Sequence, residues 1–243
     1  MENRNDLQEW FGGIDIYIFD QLLKGRFVPG MKVLDAGCGA GRNLVYFLRS
    51  GYEVFGVDEE KWAIERVRKL AAVLAPRLPA ENFWVGKVEE LSAAFADCTD
   101  GQLINNGPAM LRTLAQPLPG GEELGGTDKT EIGGIVDVVL SSAVLHFARD
   151  EQQWQAMVDA MWSVLKPGGI FFARLASTIG IENQVNLIEG RRYRLPDGSD
   201  RFLVDAAMLH RVTDKLGGEF VEPIKTTVVE NMRAMTTWVA GKK

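Results

Sequence analysis

The chain has 243 residues, 46% of them apolar and 25% charged, with a formal net charge of −6. That length supports one elaborated domain, or at most two small ones, around a sizeable core. The acidic balance disfavours a broad basic face for nucleic acid, and two cysteines, Cys38 and Cys98, make neither a disulfide framework nor a zinc cluster, so no metal site is read.

The stretch MENRNDLQEW is polar and lacks the apolar core of a signal peptide, and no apolar run approaches a membrane span; a cytoplasmic location is expected. Trp10 and Phe11 are read either as a lid over a substrate or as pins for the first helix. KVLDA (32–36) is a buried strand. Gly37, Gly39 and Gly41 follow, and Leu44, Val45, Phe47 and Leu48 then recur at helical spacing until Gly51. EVFGVD (53–58) is the second strand, and Ala63, Val67, Leu70 and Leu74 form the stripe of the next helix. NFWVG (82–86) and IVDVVLSS (135–142) are the third and fourth strands. Asp150 N-caps a helix carrying Trp154, Val158, Met161, Trp162 and Leu165, which KPGG (166–169) ends before the fifth strand, IFFARLA (170–176).

Residues 202–218 read as a helix, and 219–230 and 232–241 as two strands with little between them. Strand–helix alternation predicts an α/β fold, a mostly parallel sheet with helices on both faces. The last two runs predict a closing antiparallel hairpin instead of another crossover. The chain is expected to be a single domain, 1–243, with a flexible or lid-like insertion at 96–134, a segment rich in Gly, Pro, Thr and Asp. His210 falls in a helix away from the motifs and is read as structural.

Ligands of open α/β sheets bind beyond the carboxyl ends of the strands, where LDAGCGAGRN (34–43) lies. Glycines there let backbone N–H groups approach a ligand, and the following helix offers a partly positive end. A dinucleotide fingerprint needs a third glycine at 42, where this chain has Arg42, and no Lys-Ser/Thr follows as in a Walker A loop. Asp58 ends the second strand and is placed to accept hydrogen bonds from ribose hydroxyls.

Asp35-x-Gly37-x-Gly39-x-Gly41, Asp58, IVDVVLSSAVLHF and LKPGGIFFARL together resemble the class I S-adenosylmethionine (SAM)-dependent methyltransferases, over roughly residues 14–240. GCGAGRN followed by a helix and GYEVFGVD also looks like the branch holding tellurite-resistance and related small-molecule methyltransferases. The resemblance implies a Rossmann-like seven-stranded sheet, SAM as cofactor and S-adenosylhomocysteine (SAH) as product. It implies that Gly37, Gly39 and Gly41, with Cys38 and Asn43 among them, wrap the methionine part of SAM, that Asp35 holds its ammonium group and that Asp58 holds its ribose. Glu59 and Trp62 would border the adenine, Trp62 being equally a core residue. Lys87 stands where the family often has an aspartate, so Val88 would offer a backbone N–H and Glu89 would replace that carboxylate, or else Glu89 and Glu90 form a solvated helical turn. Ser141 would meet the amino-acid end of SAM.

SSAVLHF lacks the Asn/Asp-Pro-Pro-Tyr motif of adenine-N6 and amide methylation, and no Pro-Cys pair marks cytosine chemistry. The expected reaction is in-line methyl transfer to a small-molecule acceptor, with nucleic acid and membrane not expected as partners. The alternatives are a protein- or RNA-directed enzyme and a non-catalytic SAM-binding protein. His146 is the candidate general base, or else a packed histidine that orders the wall of the site. Arg174 is the candidate partner of an anionic substrate. GRRYRLPDGSDR (190–201) follows a long post-strand loop and is locally basic; it is read as binding a carboxylate or phosphate or closing over the pocket, or else as a turn at Pro196–Gly198 with solvated arginines.

Overall fold

The computed structural model describes residues 6–92 and 134–243; the insertion expected at 96–134 lies outside the described residues but for Gly134. Two short helices, α1 (Asp6–Phe11) and α2 (Ile16–Leu23), precede strand β1 (Lys32–Ala36). Then come α3 (Val45–Arg49), β2 (Glu53–Asp58), α4 (Lys61–Leu74) and β3 (Phe83–Val85). Beyond the undescribed segment run β4 (Val136–Ser142), α5 (Glu151–Ser163) and β5 (Leu165–Ser177). The chain closes with β6 (Asn186–Glu189), β7 (Arg192–Arg194), β8 (Asp200–Phe202), α6 (Ala206–Lys215), β9 (Gly218–Phe220), β10 (Lys225–Val229) and β11 (Arg233–Lys242).

The central sheet has the order β3-β2-β1-β4-β5-β11-β10. β1 pairs in parallel with both β2 and β4, so the chain reverses its direction of travel across the sheet at β1, and the crevice beyond the ends of β1 and β4 is where such sheets bind ligands. β11 runs antiparallel to β5 and to β10, which is the expected hairpin. The run 219–230 is two strands, not one: β9 and β10 are separate segments, and both pair with β11. Pro223 lies between them and has no N–H to offer a ladder.

Strand alternation assigns the two faces. Leu34 and Ala36 of β1 pack with Trp154, Val158 and Met161 of α5 and with Met208, Leu209 and Val212 of α6. Val33 packs on the opposite face with Ile18 of α2, Phe47 and Leu48 of α3 and Ile64 and Val67 of α4. Asp150 does N-cap α5, accepting from the Gln153 N–H at 2.7 Å. KPGG opens β5 instead of preceding it, because the ladder to β4 already begins at Leu165.

The basic stretch 190–201 does turn at Pro196–Gly198, where the Gly198 N–H donates to the Leu195 carbonyl at 2.9 Å. It lies within a second sheet, β6-β7-β8, antiparallel throughout, whose β6 is exposed along its length while Phe202 of β8 is buried. This sheet is joined to the core through the Ser177–Val204 bridge, the Leu203 N–H on the Arg191 carbonyl, and Leu195 and Leu203 packed on Ala176. At the other end of the chain, α2 is bound to the β9–β10 connection. Glu222 there accepts from Lys24 at 2.6 Å, Arg26 at 2.9 Å and Lys225 at 3.0 Å, and Tyr17 bonds Thr227.

Candidate active site

The glycine loop turns away from β1 under tight backbone control. The N–H groups of Gly37 and Cys38 both donate to the Val57 carbonyl, at 2.9 and 3.0 Å. Asp58 braces the loop from β2: its Oδ2 accepts from the Gly39 N–H at 2.8 Å and its Oδ1 from the Glu60 N–H at 2.9 Å. A carboxylate has about four acceptor positions, so Asp58 keeps capacity for a ligand's hydroxyls. Gly41 has φ +83°, and a Cβ there would lie 2.7 Å from Val67 of α4, so its bareness serves close packing. Gly39 differs: its φ is +51° and a Cβ would meet nothing within 4 Å, so its open face is turned toward space. Cys38 is buried among core residues, and burial pushes its thiol well up.

Asp35 is the last residue but one of β1, with 1% exposure, and neither of its carboxylate oxygens has a hydrogen-bond partner among the described residues. Burial pushes its pKa up to about 7, and the nearby Arg42 offsets this only in part. A buried, unpartnered acid is costly unless something satisfies it. It is the chemical complement of an ammonium group.

A cavity of about 540 Å³, to which the glycine loop contributes Gly37, is lined further by Asp58, Glu59, Glu60, Val88, Val144, Phe147, Gln153 and Met157. That volume lies within the usual range of small-molecule sites, ~300–1,000 Å³. Glu89 faces α5, where its Oε1 accepts from Gln153 Nε2 at 3.0 Å. The Ser141 hydroxyl is buried without a partner. Trp62 is exposed, as is the Lys87 side chain.

His146 sits in the short turn Leu145–Phe147 that follows β4, and it is buried. Its Nδ1 accepts the Ala176 N–H at 3.3 Å. Burial first, and the Arg201 charge second, hold its pKa down to about 4. A neutral imidazole whose Nδ1 accepts must carry its proton on Nε2, so the ring presents a donor there, not a base.

Arg174 and Ser142 meet a residue that sequence reasoning passed over. Asp15 N-caps α2 by accepting from the Tyr17 N–H at 2.9 Å. Its Oδ2 also accepts from Arg174 Nη1 at 2.9 Å and from the Ser142 hydroxyl at 3.2 Å. Its own N–H donates to Asn43 Oδ1 at 3.0 Å, so Asn43 holds the amino-terminal segment from within the glycine loop. The Tyr17 ring covers the guanidinium, with Arg174 Cζ 5.0 Å from its centroid. The available signal was an aspartate between Gly12-Gly13 and an apolar helical run, a cap signature that says nothing of partners on β4 and β5. Trp10 and Phe11 lie against α3: Phe11 stacks on Tyr46 at 5.0 Å, and Arg49 covers Trp10. His210 of α6 packs on Phe220 of β9.

Residues 17–217 match the family model described as a methyltransferase domain, and the chain belongs to that family. An uncharacterized methyltransferase of Synechocystis is 29% identical over 143 residues, covering 59% of this chain and 46% of the relative. The mitochondrial ubiquinone biosynthesis O-methyltransferase of Rattus norvegicus is 26% identical over 185 residues, covering 67% of this chain and 53% of the relative. The chain thus spans about half the length of the curated relatives it matches. Among solved structures, the 1,6-didemethyltoxoflavin-N1-methyltransferase of Burkholderia thailandensis, with 1,6-didemethyltoxoflavin and S-adenosylhomocysteine bound, superposes with a TM-score of 0.60 at 17% identity. That alignment covers all of this chain and 83% of the other, and it shows a shared Rossmann-like fold.

Proposed function

We propose that this protein is a SAM-dependent methyltransferase that carries a methyl group to a small-molecule acceptor and yields SAH. The observation that carries the proposal is Asp35: a buried carboxyl with no partner, set at the root of a glycine loop whose Gly39 faces open space. SAH bound to the structural relative from Burkholderia supports it. A cytoplasmic location is part of the same proposal.

Bound in this cavity, SAM would supply a sulfonium methyl group ready for in-line displacement. Asp35 would pair with the ammonium group, and the free lone pairs of Asp58 would accept from the ribose hydroxyls. Val88 and Glu89 would meet the adenine edge, with Gln153 fixing Glu89, and Ser141 would lie at the amino-acid end. Alignment of reactants by such contacts is worth roughly 7–11 kcal/mol of barrier. We assign His146 to positioning through its Nε2–H, since it does not present a proton acceptor. An acceptor that is already ionised or is a soft nucleophile would need no base from His146.

The test is a screen of metabolite extracts with isotopically labelled SAM, wild type beside Asp35→Asn. A labelled small molecule formed by wild type and lost in the variant is the expected result. Label found only in protein or RNA, or transfer undiminished in the variant, contradicts the proposal.

A further inference from the structure

The cavity is lined by the carboxylates of Asp58, Glu59 and Glu60 and also by Phe147, which is 63% exposed. An aromatic ring left so open beside a cavity is a ready stacking surface. Its surroundings are specific. His146 stands 4.5 Å away on the core side, and the Arg201 guanidinium lies over the ring with Cζ 4.9 Å from the centroid.

Arg201 is carried by β8, so the second sheet, inserted between β5 and α6, delivers it to this spot. Two of its companions there are engaged: Arg191 pairs with Asp205 and Arg194 with Asp200. Arg201 forms no ion pair among the described residues, and its one hydrogen bond to them runs from Nη1 to the Asp200 carbonyl at 2.7 Å. A guanidinium has five donors in a planar fork that suits carboxylates. Most of that fork is unused. The positive field reaches the site, since the Arg201 charge helps hold His146 neutral. Arg174, by contrast, is neutralised by Asp15.

We propose that Phe147 and Arg201 form the acceptor subsite, and that the acceptor is a planar conjugated anion, a ring bearing a carboxylate, which stacks on Phe147 and sets its charge against Arg201. The proposal rests on the methyltransferase function argued above and names its substrate class.

The experiment is isothermal titration of the full chain, with and without saturating SAH, using 4-hydroxybenzoate as probe and its neutral counterpart 4-hydroxybenzamide as control. The benzoate is expected to bind at least 10-fold more tightly than the amide. Arg201→Gln should remove that preference, leaving amide and SAH affinities within 2-fold, and Arg201→Lys should restore part of it. Phe147→Leu should weaken both probes together. Equal affinity for the two probes, binding of neither, or a preference unchanged in Arg201→Gln overturns the proposal. Failure of SAH itself to bind tells instead against the cofactor assignment, which the SAH titration reads separately.

Discussion

Asp15 and Arg174, 159 positions apart, meet in a 2.9 Å ion pair in which the Asp15 side chain is 2% exposed. This pair joins the start of α2 to the end of β5, and the same aspartate reaches Ser142 on β4 and Asn43 in the glycine loop. The amino-terminal segment is therefore held by the two walls that a cofactor and an acceptor would share. Asp15→Ala removes a helix cap, worth ~0.5–2 kcal/mol, and leaves a half-buried guanidinium without its counter-charge. We expect a loss of about 3 kcal/mol in urea unfolding and faster hydrogen exchange at the Phe19 amide in the first turn of α2. Asp15→Asn keeps the cap and should lose less than half as much. Equal losses in the two variants would show that the charge pair adds nothing.

Asp35 predicts how ligand affinity depends on pH. Its carboxyl ionises at about 7, so SAH affinity should level off above pH 7 and fall nearly tenfold per pH unit on the acid side. Binding at pH 6 should release close to one proton, read from titrations in buffers of different ionisation enthalpy. Asp35→Asn should weaken SAH by about 10–100-fold, the loss of a charge-assisted bond, yet raise the melting temperature at pH 8, because no buried charge has to form. A pH-independent affinity would remove Asp35 from the site.

Asp35 and His146 also pull stability in opposite directions. Folded Asp35 keeps its proton up to about 7, while in the unfolded chain it lets go near 3.8. The native state binds more protons through that window, so stability falls by about 4 kcal/mol as pH rises across it. Folded His146 titrates at about 4 against 6.5 unfolded, so there the unfolded state binds more protons. Its share of stability is present above that window and is lost, by about 3 kcal/mol, as pH falls through it. The two nearly cancel, and wild type should melt at a nearly constant temperature from pH 4 to 7. Asp35→Asn should unmask a rise with pH. His146→Asn, whose carbonyl can still take the Ala176 N–H, should unmask a fall. Three parallel curves would refute both assignments.

Gly39 and Gly41 share a left-handed backbone but not a role. Alanine at either costs ~1–2 kcal/mol of backbone strain. At Gly41 it also strikes Val67 of α4, adding ~1–3 kcal/mol of overpacking. Gly41→Ala should therefore lose about twice the stability of Gly39→Ala in denaturant titrations. Gly39→Ala should instead lose SAH affinity, because its methyl group would enter the open space of the cradle. The reverse ranking on both measurements would contradict this division.

The central sheet was legible because β1, β2 and β4 are apolar on both faces, and a strand buried between helices shows as an unbroken run; β1 and β2 fall at the expected residues. The second sheet was not, since β6 is exposed along its length and has no apolar alternation to read. Asp35 and Asp58 could be placed by their positions at strand ends. The partners of Asp15 could not, because all but its cap bond lie in distant elements. Arg201 looked like one arginine among several in a basic stretch, and only the fold of β8 against the turn after β4 sets it over Phe147. For His146 the position was readable. Its hydrogen-bond polarity depended on which nitrogen faces the Ala176 N–H.

Calorimetric titration with SAH at pH 7.5, for wild type, Asp35→Asn and Asp58→Ala, with NADH as the competing nucleotide, tests the central claim most directly. Saturable one-to-one SAH binding that weakens at least tenfold in each variant, with no heat from NADH, is the predicted result. Absence of SAH binding, affinity indifferent to both carboxylates, or tight NADH binding would contradict it.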